Sequence, residues 1–179
     1  MCSKRALTGC GDGLTLTTVK ILCLLQNTWA SDPAAVNALL QRPDVVRHRV
    51  IGRLLFSGSV TGKRIGQVFA DLFRHHTVIF ENASTVASGD SGGRPPYNVE
   101  HVRGVILLHR PDVILTFGAS SKEAIKDLRA VKRVNVRLDL PPVVHCIHPG
   151  VQKPGWLKAM LEARDELLKI VNPEPALTA

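Results

Sequence analysis

Aromatic side chains are scarce in this 179-residue chain, at 4% of positions, and there is no Cys-x-x-Cys pair, no long apolar run and no internal repeat. Each shortage excludes something. The most apolar stretch, Val19-Lys20-Ile21-Leu22-Cys23-Leu24-Leu25, is far shorter than the roughly 20 residues a membrane helix needs. The polar residues before it do not suit a secretory signal, so a soluble, cytoplasmic protein with no membrane partner is expected. The four cysteines fall at 2, 10, 23 and 146, and Cys23 and Cys146 lie inside apolar runs, as small buried thiols do. A disulfide framework is therefore not expected. The seven histidines have no ligand spacing, and His75-His76 adjoins an ordinary strand start, so no metal site is expected.

What is present is enough for one core. With 45% hydrophobic residues in 179, the chain reads as a single domain over residues 1–179. The excess of 23 Lys+Arg over 15 Asp+Glu gives a charge of +8, which favours a polyanion such as nucleic acid and equally suits an anionic membrane surface. Four aliphatic and β-branched runs, Val19–Leu25, Thr77–Glu81, Val113–Phe117 and Val143–Ile147, read as strands buried on both faces because they are continuously apolar. Between and after them lie stretches of helical period: Ala34–Gln41, Val45–Leu55, Gly62–Arg74, Val99–His109, Lys122–Ala130 and Trp156–Val171. This alternation predicts an α/β three-layer sandwich with a central, mainly parallel four-stranded sheet and helices on both faces. Ligands are then expected beyond the carboxyl ends of the strands, where Gln26–Pro33, Asn82–Gly89 and His148–Gly155 lie. Ser88–Asn98 reads as a long mobile loop, and residues 1–17 and 172–179 as poorly ordered.

Two motifs mislead. Gly89-Asp90-Ser91-Gly92-Gly93 copies the nucleophile signature of trypsin-like proteases, but that chemistry needs a serine beside an oriented histidine in an all-β fold. Gly58-Ser59-Val60-Thr61-Gly62-Lys63-Arg64 suggests a phosphate-binding loop, yet it is one residue short. Arg64 also stands where a magnesium-binding hydroxyl is required. Lys63 and Arg64 instead become candidate DNA phosphate contacts at a helix start, or a solvated pair of charges.

Read in order, the segments that follow the strands resemble those of the uracil-DNA glycosylase superfamily. Ile79-Phe80-Glu81-Asn82-Ala83-Ser84-Thr85-Val86 is similar to the strand and turn whose asparagine reads a flipped uracil. Val144-His145-Cys146-Ile147-His148-Pro149-Gly150 is similar to the family's final strand and His-Pro-Ser. Leu24-Leu25-Gln26-Asn27-Thr28 stands at the water-activating loop, Phe56-Ser57-Gly58 at the segment with a base-stacking phenylalanine, and Pro111–Gly118 at the third strand and its glycine turn. The likeness covers roughly residues 19–171. Leu25 and Thr28 replace the glycine and proline of the first motif, and Gly150 replaces the serine of the last, which implies a divergent branch. Some branches carry an iron–sulfur cluster; this chain lacks the cysteine pattern, and no cofactor is expected.

The resemblance implies a monofunctional glycosylase, acting as a monomer on uracil-containing DNA, and gives each residue a task. A flipped base must be read at its edges and face. Asn82 offers one acceptor and two donors that suit uracil N3–H and a carbonyl oxygen, with Gln26 and Phe56 as further base contacts. Bond cleavage leaves negative charge on the departing base, which His148 would stabilise as a hydrogen-bond donor. Asn27 would position the attacking water. Asp32 is either a second candidate for that role or a helix cap before Pro33. Val151 or Gln152 stands where the family wedges the vacated stack, and Lys153 where phosphate is touched. No lysine nucleophile lies in these segments, so hydrolysis leaving an intact abasic site is expected. Two readings stay open beside it: a non-catalytic nucleic-acid binder of the same fold, and a small α/β enzyme acting on nucleotides.

Overall fold

The computed structural model describes residues 18–42, 46–89, 95–130, 139–150 and 154–173. Chain order is β1 (Lys20–Leu25), α1 (Pro33–Gln41), α2 (Arg47–Phe56), α3 (Val60–Arg74), β2 (Thr77–Asn82), α4 (Val99–His109), β3 (Val113–Phe117), α5 (Ala119–Ala130), β4 (Val143–Cys146) and α6 (Trp156–Val171). The four strands form one sheet in the order β2-β1-β3-β4, with every neighbouring pair parallel. Parallel neighbours need crossovers, which the helices supply.

Alternation along β1 divides the interior in two. Ile21, Cys23 and Leu25 face a core completed by Ile51 of α2, Ile65 and Phe69 of α3, and Met160 and Leu167 of α6. Leu22 and Leu24 face the opposite core, built with Val102 and Ile106 of α4 and Ile125 and Leu128 of α5. The sheet is thus sandwiched between helical layers, the α/β three-layer arrangement expected. Among the described residues no helix is long and apolar enough to cross a membrane.

Two expectations about the strands need correction. Only β1 and β3 are apolar and buried nearly throughout; β2 and β4 are edge strands with partly exposed positions, including Thr77 and His145. A short apolar run does not by itself reveal whether a second neighbour covers the strand. Asn82 is also the last residue of β2, paired with Leu25, rather than the first residue of a turn.

Helix starts follow capping chemistry. Ser59 accepts the Gly62 N–H at 2.9 Å and donates to the Leu55 carbonyl at 2.6 Å, so α3 begins at Val60, before the expected Gly62. A Cβ on Gly62 would lie 2.0 Å from the Leu55 carbonyl oxygen, so this glycine permits the tight corner between α2 and α3. The segment therefore joins helix to helix, not strand to helix as a phosphate-binding loop would. Of the expected loop 88–98, residues 90–94 lie outside the described residues, as do 1–17 and 174–179.

Candidate functional site

Because all four strands are parallel, the segments after them emerge on one side of the sheet. The chain passes from β1 outward to β2, then returns to β3 on the other side of β1. That reversal opens a switch point between β1 and β3, where ligands of open α/β sheets bind. Gln26 and Asn27 follow β1 there, and Gly118 follows β3.

The turns after β1 and β2 are zipped together. Beyond the last strand residues the Ala83 N–H donates to the Leu25 carbonyl at 2.7 Å and the Ser84 N–H to that of Gln26 at 3.0 Å. The pairing resumes where Ser88 N–H donates to the Thr28 carbonyl and Ala30 N–H to that of Ser88, both at 2.9 Å, around a parallel bridge between Trp29 and Ser88.

Inside this frame each asparagine is held at one end. Asn82 is buried, 1% exposed; its Nδ2 donates to Thr28 Oγ1 at 2.7 Å, while its Oδ1 has no partner among the described residues. A buried acceptor left unpaired is costly, on the order of 1–3 kcal/mol. Asn27 Nδ2 donates to Ser88 Oγ and, at 3.3 Å, to the Thr28 carbonyl. With the nitrogen anchored, Oδ1 is the end able to accept a hydrogen bond from water.

His148 projects from the turn after β4 onto Gly118. A Cβ at Gly118 would stand 3.0 Å from the His148 Cβ and 3.2 Å from its Cδ2, and Gly118 has a left-handed φ of 92°. Both the space and the backbone angle require glycine there. The Gly150 N–H donates to His148 Nδ1 at 3.1 Å. An Nδ1 that accepts leaves the proton of the neutral imidazole on Nε2, so that nitrogen is the donor. A Cβ at Gly150 would lie 2.9 Å from His148 Cε1 and 3.2 Å from Thr61 Oγ1 of α3. The space beside His148 thus favours glycine at position 150, and the Thr28 hydroxyl is engaged by Asn82.

The remaining sequence candidates divide. Phe56, at the end of α2, is 47% exposed and meets Phe80 edge-on at 5.4 Å; Phe80 and Asn82 alternate onto the same face of β2. Gln26 is half-buried and its carbonyl serves the zipper. Asp32 is exposed and caps α1, accepting the Ala35 N–H at 3.0 Å with Pro33 at the first helical position. Lys63 is exposed, whereas Arg64 turns back onto the protein: its Nη1 donates to the Pro149 carbonyl at 2.6 Å and its guanidinium lies 4.2 Å from the Trp156 ring centre. Val151, Gln152 and Lys153 lie outside the described residues.

Sequence reasoning missed Thr28, Ser88 and Trp29. The first two have no motif of their own and acquire roles only through contacts with Asn82 and Asn27. Trp29 was legible as one of two tryptophans, set directly after the first motif; it is 57% exposed beside the paired turns. No protein-family model matches the chain, and no curated protein matches it.

Proposed function

We infer that this protein is a monofunctional uracil-DNA glycosylase, which takes uracil out of the DNA stack and hydrolyses its N-glycosidic bond. The observation that carries this reading is the buried Oδ1 of Asn82 at the carboxyl end of β2, which has no partner among the described residues. It is an acceptor awaiting an N–H, and uracil N3–H is such a donor, whereas cytosine N3 is itself an acceptor.

Three groups then divide the chemistry. Asn82 reads the base edge through Oδ1, while its Nδ2 donates to the Thr28 hydroxyl. His148, its Nδ1 engaged by Gly150, donates from Nε2 to the uracil oxygen on which charge accumulates. Asn27 accepts from a water molecule and aims it at C1′. The C1′–N1 bond breaks with its electron pair leaving on uracil, and the water oxygen bonds to C1′. The proton lost by water passes to solvent, and the uracil anion takes one up. An amide is no strong base, so the water attacks a sugar already carrying positive character. Asp32 keeps its capping role, and Lys63 and Lys153 are candidates to touch backbone phosphate. The protein works as a monomer on uracil-containing DNA.

The test is turnover on uracil-containing single- and double-stranded oligonucleotides, with alkali to cleave abasic sites. Alkali-dependent product that disappears in His148→Ala and Asn27→Ala, with DNA affinity retained, is expected. If uracil, hypoxanthine and mismatched thymine all survive at stoichiometric protein, the reading is overturned. Salt-sensitive DNA binding would then leave a non-catalytic binder, because phosphate contacts weaken as salt rises.

A further inference from the structure

The structure assigns a Zn2+ site to His48, Glu81 and His109, at the outer edge of β2, separate from the amide and imidazole groups described above. The three side chains come from α2, β2 and α4, and one ligand atom from each lies within 4.8 Å of the other two. A carboxylate with two imidazoles is a set that Zn2+ accepts, at about 2.0–2.2 Å from each donor. The two imidazoles meet edge-on at 5.3 Å between centres, with planes at 89°. Closing on an ion asks the half-buried rings to turn and move inward by on the order of 1 Å, given those bond lengths.

The second observation is the carboxylate itself. Glu81 is 3% exposed, and its Oε2 has no hydrogen-bond partner among the described residues. Arg47 is the nearest cation, but its Nε stands 3.9 Å from that oxygen, beyond hydrogen-bond reach. Its Nη1 is drawn instead to the Leu40 carbonyl at 3.2 Å. A buried carboxylate is expected to be paired or to coordinate a metal, and here pairing is incomplete. Lys20, another nearby cation, is held by its Nζ to the His109 carbonyl at 2.9 Å, which steadies the end of α4 and leaves the ring to ligate. Burial lowers the pKa of both His48 and His109, with Arg49 acting in the same direction on the first and His48 and Lys20 on the second.

The ion would clip α2 to α4 across an edge strand that has only β1 as a neighbour, one residue before Asn82. Three protein ligands leave a fourth position for water. Sequence spacing could not reveal this site, because its ligands stand 33 and 28 positions apart.

Titration of the chelator-stripped full chain with Co2+, followed by Zn2+ competition, tests the assignment. One equivalent of Co2+ should bind with the visible absorption of a low-coordinate site and without thiolate charge transfer, and one equivalent of Zn2+ should displace it. At a hundredfold excess over Kd, Zn2+ should raise the Tm by roughly 5–10 °C. His109→Ala and Glu81→Gln should each weaken binding by about 100-fold or more. His48→Asn, on the partly exposed face of α2, gives the same comparison if either of those variants fails to fold. Absence of Co2+ absorption in the wild type would overturn the site and leave Glu81 to Arg47 and the Asn82 backbone N–H. So would a thiolate band, or affinity unchanged in a folded His48→Asn. None of these readouts depends on glycosylase activity.

Discussion

The backbone N–H of Gly150 donates to His148 Nδ1 at 3.1 Å, and a methyl group on Gly150 would stand 2.9 Å from the Cε1 of that same ring. One residue therefore both sets the tautomer of the histidine and leaves it room. Gly150→Ala should displace the ring and lower single-turnover uracil excision by about 100-fold, the scale of a 1 Å misplacement. DNA affinity should change little. Unchanged excision rates in quench-flow would remove His148 from the reaction.

Thr28→Val keeps the shape of the side chain and removes the oxygen that Asn82 Nδ2 reaches at 2.7 Å. A buried amide nitrogen then loses its acceptor, at a cost of about 1–3 kcal/mol. Urea denaturation should give a lower midpoint, and uracil excision should fall as the Asn82 amide becomes free to rotate.

Trp29 is an exposed aromatic beside the turns that carry Asn27 and Asn82. Stacking on a base is worth about 1–3 kcal/mol, so Trp29→Ala should weaken single-stranded DNA binding by roughly 10-fold at constant salt. Its Tm should stay close to that of the wild type. Fluorescence anisotropy with a labelled oligonucleotide measures the first effect.

Glu81 gives a pH dependence of known sign. Burial pushes its pKa from 4.5 up to about 7, against the opposing pull of Arg47. Between those values the folded protein keeps a proton that the unfolded chain has lost, so Glu81 costs stability as pH rises through this window and no more above it. The total is about 3 kcal/mol. In chelator, Glu81→Gln should gain on the wild type by about that amount between the two ends of the window, measured by urea denaturation at each pH. A constant difference would mean that the carboxyl is ionised throughout.

Legibility in the sequence followed locality. The bounds of β3, α4 and α6 are those the hydrophobic pattern predicts, because Pro111-Asp112, Asn98 and Gly155 punctuate them. The start of α5 lies before Lys122 because Ala119 follows directly on the Gly118 turn, a junction that apolar periodicity does not register. The edge positions of β2 and β4 depend on topology, which no short run records. At the site, Asn27, Asn82 and His148 were visible because they lie at or just beyond the ends of apolar runs. Thr28, Ser88 and Gly150 act through contacts with those three, so only the folded arrangement distinguishes them from loop residues. The His48, Glu81 and His109 cluster is the extreme case, being assembled from three elements that share no motif.

The hydrogen-bonded turns after β1 and β2 have one further consequence. Because Ala83 is tied to Leu25, Ser84 to Gln26 and Ser88 to both Thr28 and Ala30, the segment bearing Asn27 and the segment bearing Asn82 form one mechanical unit. A change that shifts one shifts the other. On the proposed function, choice of ligand and speed of reaction are then not separate dials: substitutions selected to admit a different base at Asn82 should also move Asn27, and pairs of changes across the two turns should not add.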